Sequence, residues 1–211
     1  MIINRKICPK GLKNNPYKSL KSISYITIHN TGNSAVNATA KMHSDYQYGG
    51  SGGREASWHY TIDDNEIWQS WEDDQMCWHA GDGSGDGNTR SIGIEICMNQ
   101  GGDLVKATDN AAWLTARLCR AYGIPLQNVV QHNYWSGKNC PQMIRGGKPY
   151  DWATFICKVT DNLFPQDTSV ADAIGVLVRG GIISSPEYWL ANYNKVEFLD
   201  KLIINMANTL K

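Results

Sequence analysis

The 211-residue chain has no Cys-x-x-Cys pair among its six cysteines, Cys8, Cys77, Cys97, Cys119, Cys140 and Cys157. A closed structural zinc site takes four ligands and often such pairs, so that class of site finds no support. Unpatterned cysteines agree with a reducing compartment rather than a disulfide framework. Excess charge of either sign is also missing, because 20 basic residues cancel 20 acidic ones. Nothing therefore favours a polyanion partner, and nucleic acid is not expected. No run is long and apolar enough to span a bilayer, so membrane insertion is not expected. Residues 1–8 lack the apolar segment of a secretory signal. The expectation is a protein held in the cytoplasm of the producing cell until something releases it. Phenylalanine is scarce, at three, against eight tryptophans and ten tyrosines. Rings with a polar edge suit amphipathic ligands such as sugars.

The apolar fraction, 42%, suffices for a sizeable core, and the length leaves room for one ordinary domain plus a small one. Residues 1–22, basic and punctuated by Pro9 and Pro16, read as an extended arm on the domain surface. The β-branched run Ser24-Tyr25-Ile26-Thr27-Ile28-His29 reads as a buried strand reaching the rim of a sheet. Ala35, Ala38, Met42 and Tyr46 recur at helical spacing before Gly49-Gly50, which leaves His43 off the stripe and solvated. The runs 56–62 and 66–71, joined by Asp63-Asp64-Asn65, predict a β-hairpin. In the glycine-dense loop 78–90, Asp82 and Asp86 faintly resemble a calcium loop. Gly93 stands where its bidentate glutamate belongs, so calcium is rejected in favour of a substrate-side loop. Further on, a helix from Thr108 to Tyr122 stops at Gly123, the strand 128–132 follows, and a helix runs from Tyr150 to about Asn162. This succession predicts an α/β fold: a mixed central β-sheet flanked by helices, with its site at the strand ends.

Past the linker 165–168 the pattern changes. Val170, Ile174 and Leu177 form one helical stripe, Ser184-Ser185-Pro186-Glu187 reads as a helix start, and Val196, Leu199, Leu202, Ile203, Met206 and Leu210 stripe a last helix. The expected organisation is a catalytic domain over 1–164 and a small helical module over 169–211, for cell-wall targeting or self-association. Its oligomeric state is not legible.

Three side chains organise the functional reading. Gln131-His132-Asn133-Tyr134-Trp135-Ser136-Gly137-Lys138-Asn139-Cys140-Pro141 concentrates a histidine, a lysine and a cysteine in one short polar loop. His132 and Cys140 offer a nitrogen and a thiolate, and His29, at its strand end, is the best third ligand. A zinc that does chemistry takes three protein ligands and leaves a fourth position for water. Spacing alone leaves open that these are ordinary core or surface residues. In Ser91-Ile92-Gly93-Ile94-Glu95-Ile96-Cys97 the isoleucines share one face and Glu95 the other. A carboxylate there is costly unless paired, protonated or used, so a functional role and a structural ion pair are equally open. His59 and His79 fit either substrate contact and ligand orientation or plain rim hydrogen bonding. Trp78 and Trp135 fit either a sugar or peptide platform or the core.

A strand ending His-Asn-Thr, a Trp-His-Tyr hairpin, Trp-His-Ala-Gly, Ser-Ile-Gly-Ile-Glu-Ile and Gln-His-x-x-x-Ser-Gly-Lys-x-Cys-Pro occur here in one order. Together, over roughly residues 20–160, they resemble the zinc-dependent N-acetylmuramoyl-L-alanine amidases of the Amidase_2 and peptidoglycan-recognition type, especially phage endolysins and prophage autolysins. The resemblance implies Zn2+ on His29, His132 and Cys140, catalysis by Glu95 and Lys138, and bacterial peptidoglycan as substrate. Some branches carry a catalytic tyrosine where this chain has Trp58, so that role is not transferred. Two alternatives are a muropeptide-binding module that does not cut and a zinc peptidase acting on other peptides.

Overall fold

The computed structural model describes residues 2–163 and 169–210 and divides into two compact units, Met1–Val159 and Thr160–Lys211. The expected linker 165–168 lies outside the described residues. In the first unit six strands form one mixed sheet: β1 (Ile3–Arg5), β2 (Tyr25–Asn30), β3 (Tyr60–Ile62), β4 (Ile67–Gln69), β5 (Ser91–Ile96) and β6 (Val129–Gln131), in the order β1-β4-β3-β5-β2-β6. Only the hairpin β3–β4 is antiparallel. Helices α1 (Ala40–Tyr48), α2 (Asp86–Thr89), α3 (Leu104–Tyr122), α4 (His132–Ser136), α5 (Gln142–Arg145) and α6 (Trp152–Leu163) connect and flank the strands.

The parallel register fixes two chemically different faces. Ile26 and Ile28 of β2 lie opposite Ile92 and Ile94 of β5, and all four are fully buried. Each such burial contributes about 1.5–3 kcal/mol. Thr61 of β3 pairs with Glu95, so Tyr60 turns to the isoleucine face, where it shares a groove with Leu114, Leu118 and Tyr122 of α3. On the other face Thr27 lies beside Gly93 and His29 beside Glu95. Helix α1 flanks that face, since Met42 and His43 line a cleft together with Glu95.

Several elements depart from the sequence reading. Residues 3–5 of the expected surface arm are an edge strand of the sheet, and Asn14 and Asn15 are buried. Asn14 donates to the Gln47 carbonyl and the Ser51 hydroxyl, and Asn15 donates to the Met76 carbonyl. These bonds pin a polar segment that apolar periodicity cannot detect. Helix α1 starts at Ala40 behind a Thr39 cap and buries Ala40, His43, Ser44 and Gln47; of the expected stripe Ala38, ahead of the helix, is buried and Met42 half-buried, while Ala35 and Tyr46 are exposed. His43 is therefore buried, not solvated, and its Nδ1 bonds the Thr39 carbonyl. Gln47 explains the rotation: it donates to the Trp58 carbonyl and accepts from the Trp58 amide and the Trp71 indole. Helix α3 begins four residues before Thr108, capped by Asp103, and ends on Gly123 at φ 64° as expected. The Asp82 carboxylate accepts from the Gly87 and Asn88 amides and so caps the first turn of α2 from outside its N-cap position, Gly85.

The second unit contains α7 (Val170–Arg179), α8 (Pro186–Asn192) and α9 (Leu199–Asn208) around Ala173, Ile174, Leu177, Ile203, Ile204 and Ala207. Pro186 opens α8 as expected, but Ser185 sits in the left-handed region and its side chain caps nothing. In α9 the buried face is Ile203, Ile204 and Ala207, whereas Val196, Leu202 and Leu210 of the expected stripe are exposed. Among the described residues no helix is long and apolar enough to cross a membrane.

Candidate metal centre and the cleft around it

The three parallel strands β5, β2 and β6 end at one rim of the sheet, and each delivers a side chain there. His29 is the fifth residue of β2, Glu95 is its register partner on β5, and His132 follows β6 as the first residue of α4. The loop after α4 returns Cys140 to the same rim, where the Asn133 amide bonds the Cys140 carbonyl. His29, His132 and Cys140, all buried, bring one ligand atom each within 4.8 Å of one another. His29 Nδ1 lies 3.0 Å from His132 Nδ1 and 3.8 Å from Cys140 Sγ.

The hydrogen-bond pattern decides which nitrogen of His29 is bare. His79 Nε2 lies 3.3 Å from the Ser91 carbonyl, which can only accept, so that nitrogen carries the proton. His79 Nδ1 is then an acceptor, and His29 Nε2, 3.1 Å away, donates to it. His29 Nδ1 is left with a lone pair aimed at His132 and Cys140. Such orientation of a ligating imidazole by its other nitrogen is the usual device at metal centres. Burial holds the ring of His29 well below the ordinary histidine range, and the neighbouring His79, His132 and Lys138 add to this. Burial likewise brings His132 down to about 4, helped by Lys138. Both imidazoles are thus neutral near pH 7, the form that ligates. Burial also pushes the Cys140 thiol up to about 12, with Glu95 reinforcing it. A cation is what would release that proton.

Glu95 stands beside this centre, its Oε1 3.9 Å from His29 Nδ1. Its Oε2 is buried without a hydrogen-bond partner among the described residues. Burial raises its carboxyl to about 8, against the pull of Lys138. Among the described residues His29 is the only ion-pair partner within reach of Glu95, and the nearby Lys138 acts on it without a direct bond. Lys138 is exposed and lines both of the clefts, each about 640 Å³, that open beside the rim.

Trp78 and His79 line one of these clefts with Glu55 and His132. Trp135 supports the site from beside it: its indole donates to Thr27 Oγ1, and its ring meets Tyr25 edge-on at 5.1 Å. His59 is not brought to either cleft. It is fully buried, its Nδ1 accepts from the Gly93 amide, and its Nε2 donates to the Gln75 carbonyl, so both nitrogens hold backbone and none is left for substrate. Gly93 is the residue the sequence reading passed over. A methyl group there would lie 2.8 Å from the His79 ring, so the absence of a side chain makes the space for His79 to reach His29. A glycine inside an otherwise β-branched strand was the available signal.

Residues 19–143 match the family model described as Amidase_2: N-acetylmuramoyl-L-alanine amidase. The chain is 44% identical over 181 residues to N-acetylmuramoyl-L-alanine amidase XlyA of Bacillus subtilis (strain 168), which covers 81% of this chain and 58% of that protein. It is 41% identical over 169 residues to N-acetylmuramoyl-L-alanine amidase CwlH of the same organism, covering 79% of this chain and 65% of the relative. The chain therefore spans less than two thirds of the length of either. The solved catalytic domain of XlyA is similar at a TM-score of 0.70 and 43% identity, over 75% of this chain and 99% of that one.

Proposed function

The chain belongs to the Amidase_2 family of N-acetylmuramoyl-L-alanine amidases, and from that premise we propose that its first unit hydrolyses the amide between N-acetylmuramic acid and L-alanine in bacterial peptidoglycan, as a cell-lysing endolysin does. The observation that carries the reading is the convergence of two neutral imidazoles and a thiol beside a buried carboxyl at one sheet rim. We assign zinc to His29, His132 and Cys140. Bonds of about 2.0–2.1 Å to nitrogen and about 2.3 Å to sulfur, at tetrahedral angles, set ligand atoms about 3.3–3.6 Å apart. Two of the three separations, 3.0 and 3.8 Å, fall on either side of that range, and all three ligand atoms lie within 4.8 Å of one another. Mixed nitrogen and sulfur ligation favours zinc over magnesium or calcium. Held there, zinc supplies Lewis acidity towards a carbonyl oxygen and a water acidic enough to attack near neutral pH.

An amide is a weak electrophile with a poor leaving group, so the protein must also move a proton and stabilise charge. In its ionised form, which a cation held by His29, His132 and Cys140 would favour against the burial that raises its carboxyl, Glu95 takes the proton of the attacking water at Oε2, the oxygen that no group engages among the described residues. It returns that proton to the nitrogen of L-alanine as the carbon–nitrogen bond breaks, which leaves a lactyl carboxylate and a free α-amine. Lys138 offers its ammonium to the carbonyl oxygen as that atom becomes anionic. Trp78 supplies a flat apolar face for a sugar ring in the cleft it lines. We assign residues 169–211 to wall targeting or self-association. Their removal should weaken wall pull-down or lower the number of chains per particle in solution, and if neither changes both assignments fail.

Digestion of purified cell walls tests the activity. The expected result is new L-alanine amino termini without new reducing sugar ends. Binding without any release would instead mark a muropeptide-recognition module, and new termini other than L-alanine would mark a peptidase.

A further inference from the structure

The two clefts beside the rim meet at Lys138 but differ in charge and in their neighbours. One contains Glu95, Lys138, Trp58 and Arg54, and the other contains His132, His79, Trp78 and Glu55. On the hydrolase reading, Glu95 hands its proton to the departing nitrogen, so the leaving group must extend into the cleft that Glu95 lines. The sugar-bearing acyl half then occupies the other.

Three polar groups in the leaving-group cleft are committed to the protein. His43 Nδ1 bonds the Thr39 carbonyl, the Tyr46 hydroxyl donates to the Ser51 carbonyl, and the Trp58 indole donates to Thr61. Arg54 is one of two cations lining this cleft, and the hydrolase reading gives the other, Lys138, to the carbonyl oxygen; Arg54 is exposed, and its guanidinium makes no hydrogen bond or ion pair among the described residues. The neighbouring Glu55 faces the other cleft, so it does not neutralise Arg54 within this one. A free, planar guanidinium matches a carboxylate with two parallel hydrogen bonds, a geometry that a primary amide cannot reproduce. Beyond L-alanine a wall stem peptide offers such groups, because its γ-linked glutamate and third residue carry carboxyls that are either free or amidated.

We propose that Arg54 is a specificity-determining residue that binds a free carboxylate of the stem peptide. The enzyme accordingly discriminates against stems whose carboxyls are amidated. This rests on the hydrolase reading, and one experiment separates the two. Two soluble N-acetylmuramoyl tripeptides, one with all stem carboxyls free and one with all converted to primary amides, are given to the metal-loaded 211-residue chain. Release of the L-alanine amino terminus is followed for each. The wild type is expected to favour the free-carboxyl substrate about tenfold in kcat/KM. In Arg54→Gln that ratio should fall to within about twofold of one, and Arg54→Lys should retain part of it. A wild-type ratio near one, or an Arg54→Gln ratio equal to that of the wild type, overturns the proposal while leaving the hydrolase reading intact. No release from either substrate by the wild type overturns the hydrolase reading itself and the assignment of Arg54 with it. The thermal melting point of each variant, expected to match the wild type because Arg54 is exposed, shows that a lost ratio is not a lost fold.

Discussion

Removing the acceptor that orients His29 should cost metal affinity before it costs anything else. His79→Ala deletes the ring nitrogen 3.1 Å from His29 Nε2 and leaves that buried N–H without a partner. An unsatisfied buried donor costs about 1–3 kcal/mol. The imidazole can recover this by turning over or by exchanging its tautomer, and either change takes the Nδ1 lone pair away from His132 and Cys140. Loss of such an orienting partner weakens metal binding by about 10- to 100-fold, and about 1.4–2.7 kcal/mol corresponds to that range. The assay is competition for zinc against a chromogenic chelator, with melting of the metal-free protein as the control for folding. His79→Asn supplies an oxygen near the position of Nδ1 and should recover much of the affinity. If His79→Ala binds zinc within twofold of the wild type while remaining folded, the relay from Ser91 through His79 to His29 has no role in holding the metal.

Other consequences follow from the same geometry. Glu95→Gln should retain zinc yet lower turnover on cell walls by about 100- to 10,000-fold, since it removes proton transfer and not a ligand; activity above a tenth of the wild type would exclude Glu95 as the proton carrier. Gly93→Ala forces a methyl to 2.8 Å from the His79 ring and should reproduce the weakened zinc affinity of His79→Ala without touching any polar group; unchanged affinity would show that the ring moves aside freely. Asp82→Ala removes two bonds to the amides that open α2 and should lower stability by about 1–2 kcal/mol in denaturant titration, and no change would mean that the cap contributes nothing.

How much of this was legible in the sequence depended on the kind of signal. The strands carrying His29 and Glu95 were readable because isoleucines alternate with polar residues at period two. Parallel register then makes neighbours of residues 66 positions apart, which no local pattern encodes. The candidacy of His132 was readable from its loop, although that loop begins with the short helix α4. The first 22 residues were misread because buried asparagines, not apolar residues, tie them down. For α1, a stripe of Ala35, Ala38, Met42 and Tyr46 looked apolar enough to be the inner face. The hydrogen-bonding capacity of Gln47 and His43 instead set the helix rotation. His59 and His79 were indistinguishable in sequence, and only their partners separate a histidine that holds backbone from one that orients a ligand. Arg54 carried no periodic or motif signal, because an exposed arginine in a glycine-rich segment ordinarily reads as a solvated loop.

The most direct test of the central claim is X-ray absorption at the zinc edge on the 211-residue chain, combined with metal analysis. One zinc per chain, with two nitrogen ligands and one sulfur that disappears in Cys140→Ser, is the expected spectrum. A spectrum without sulfur scattering, or a wall-degrading preparation that holds no metal, would contradict the assignment of His29, His132 and Cys140 to one catalytic ion.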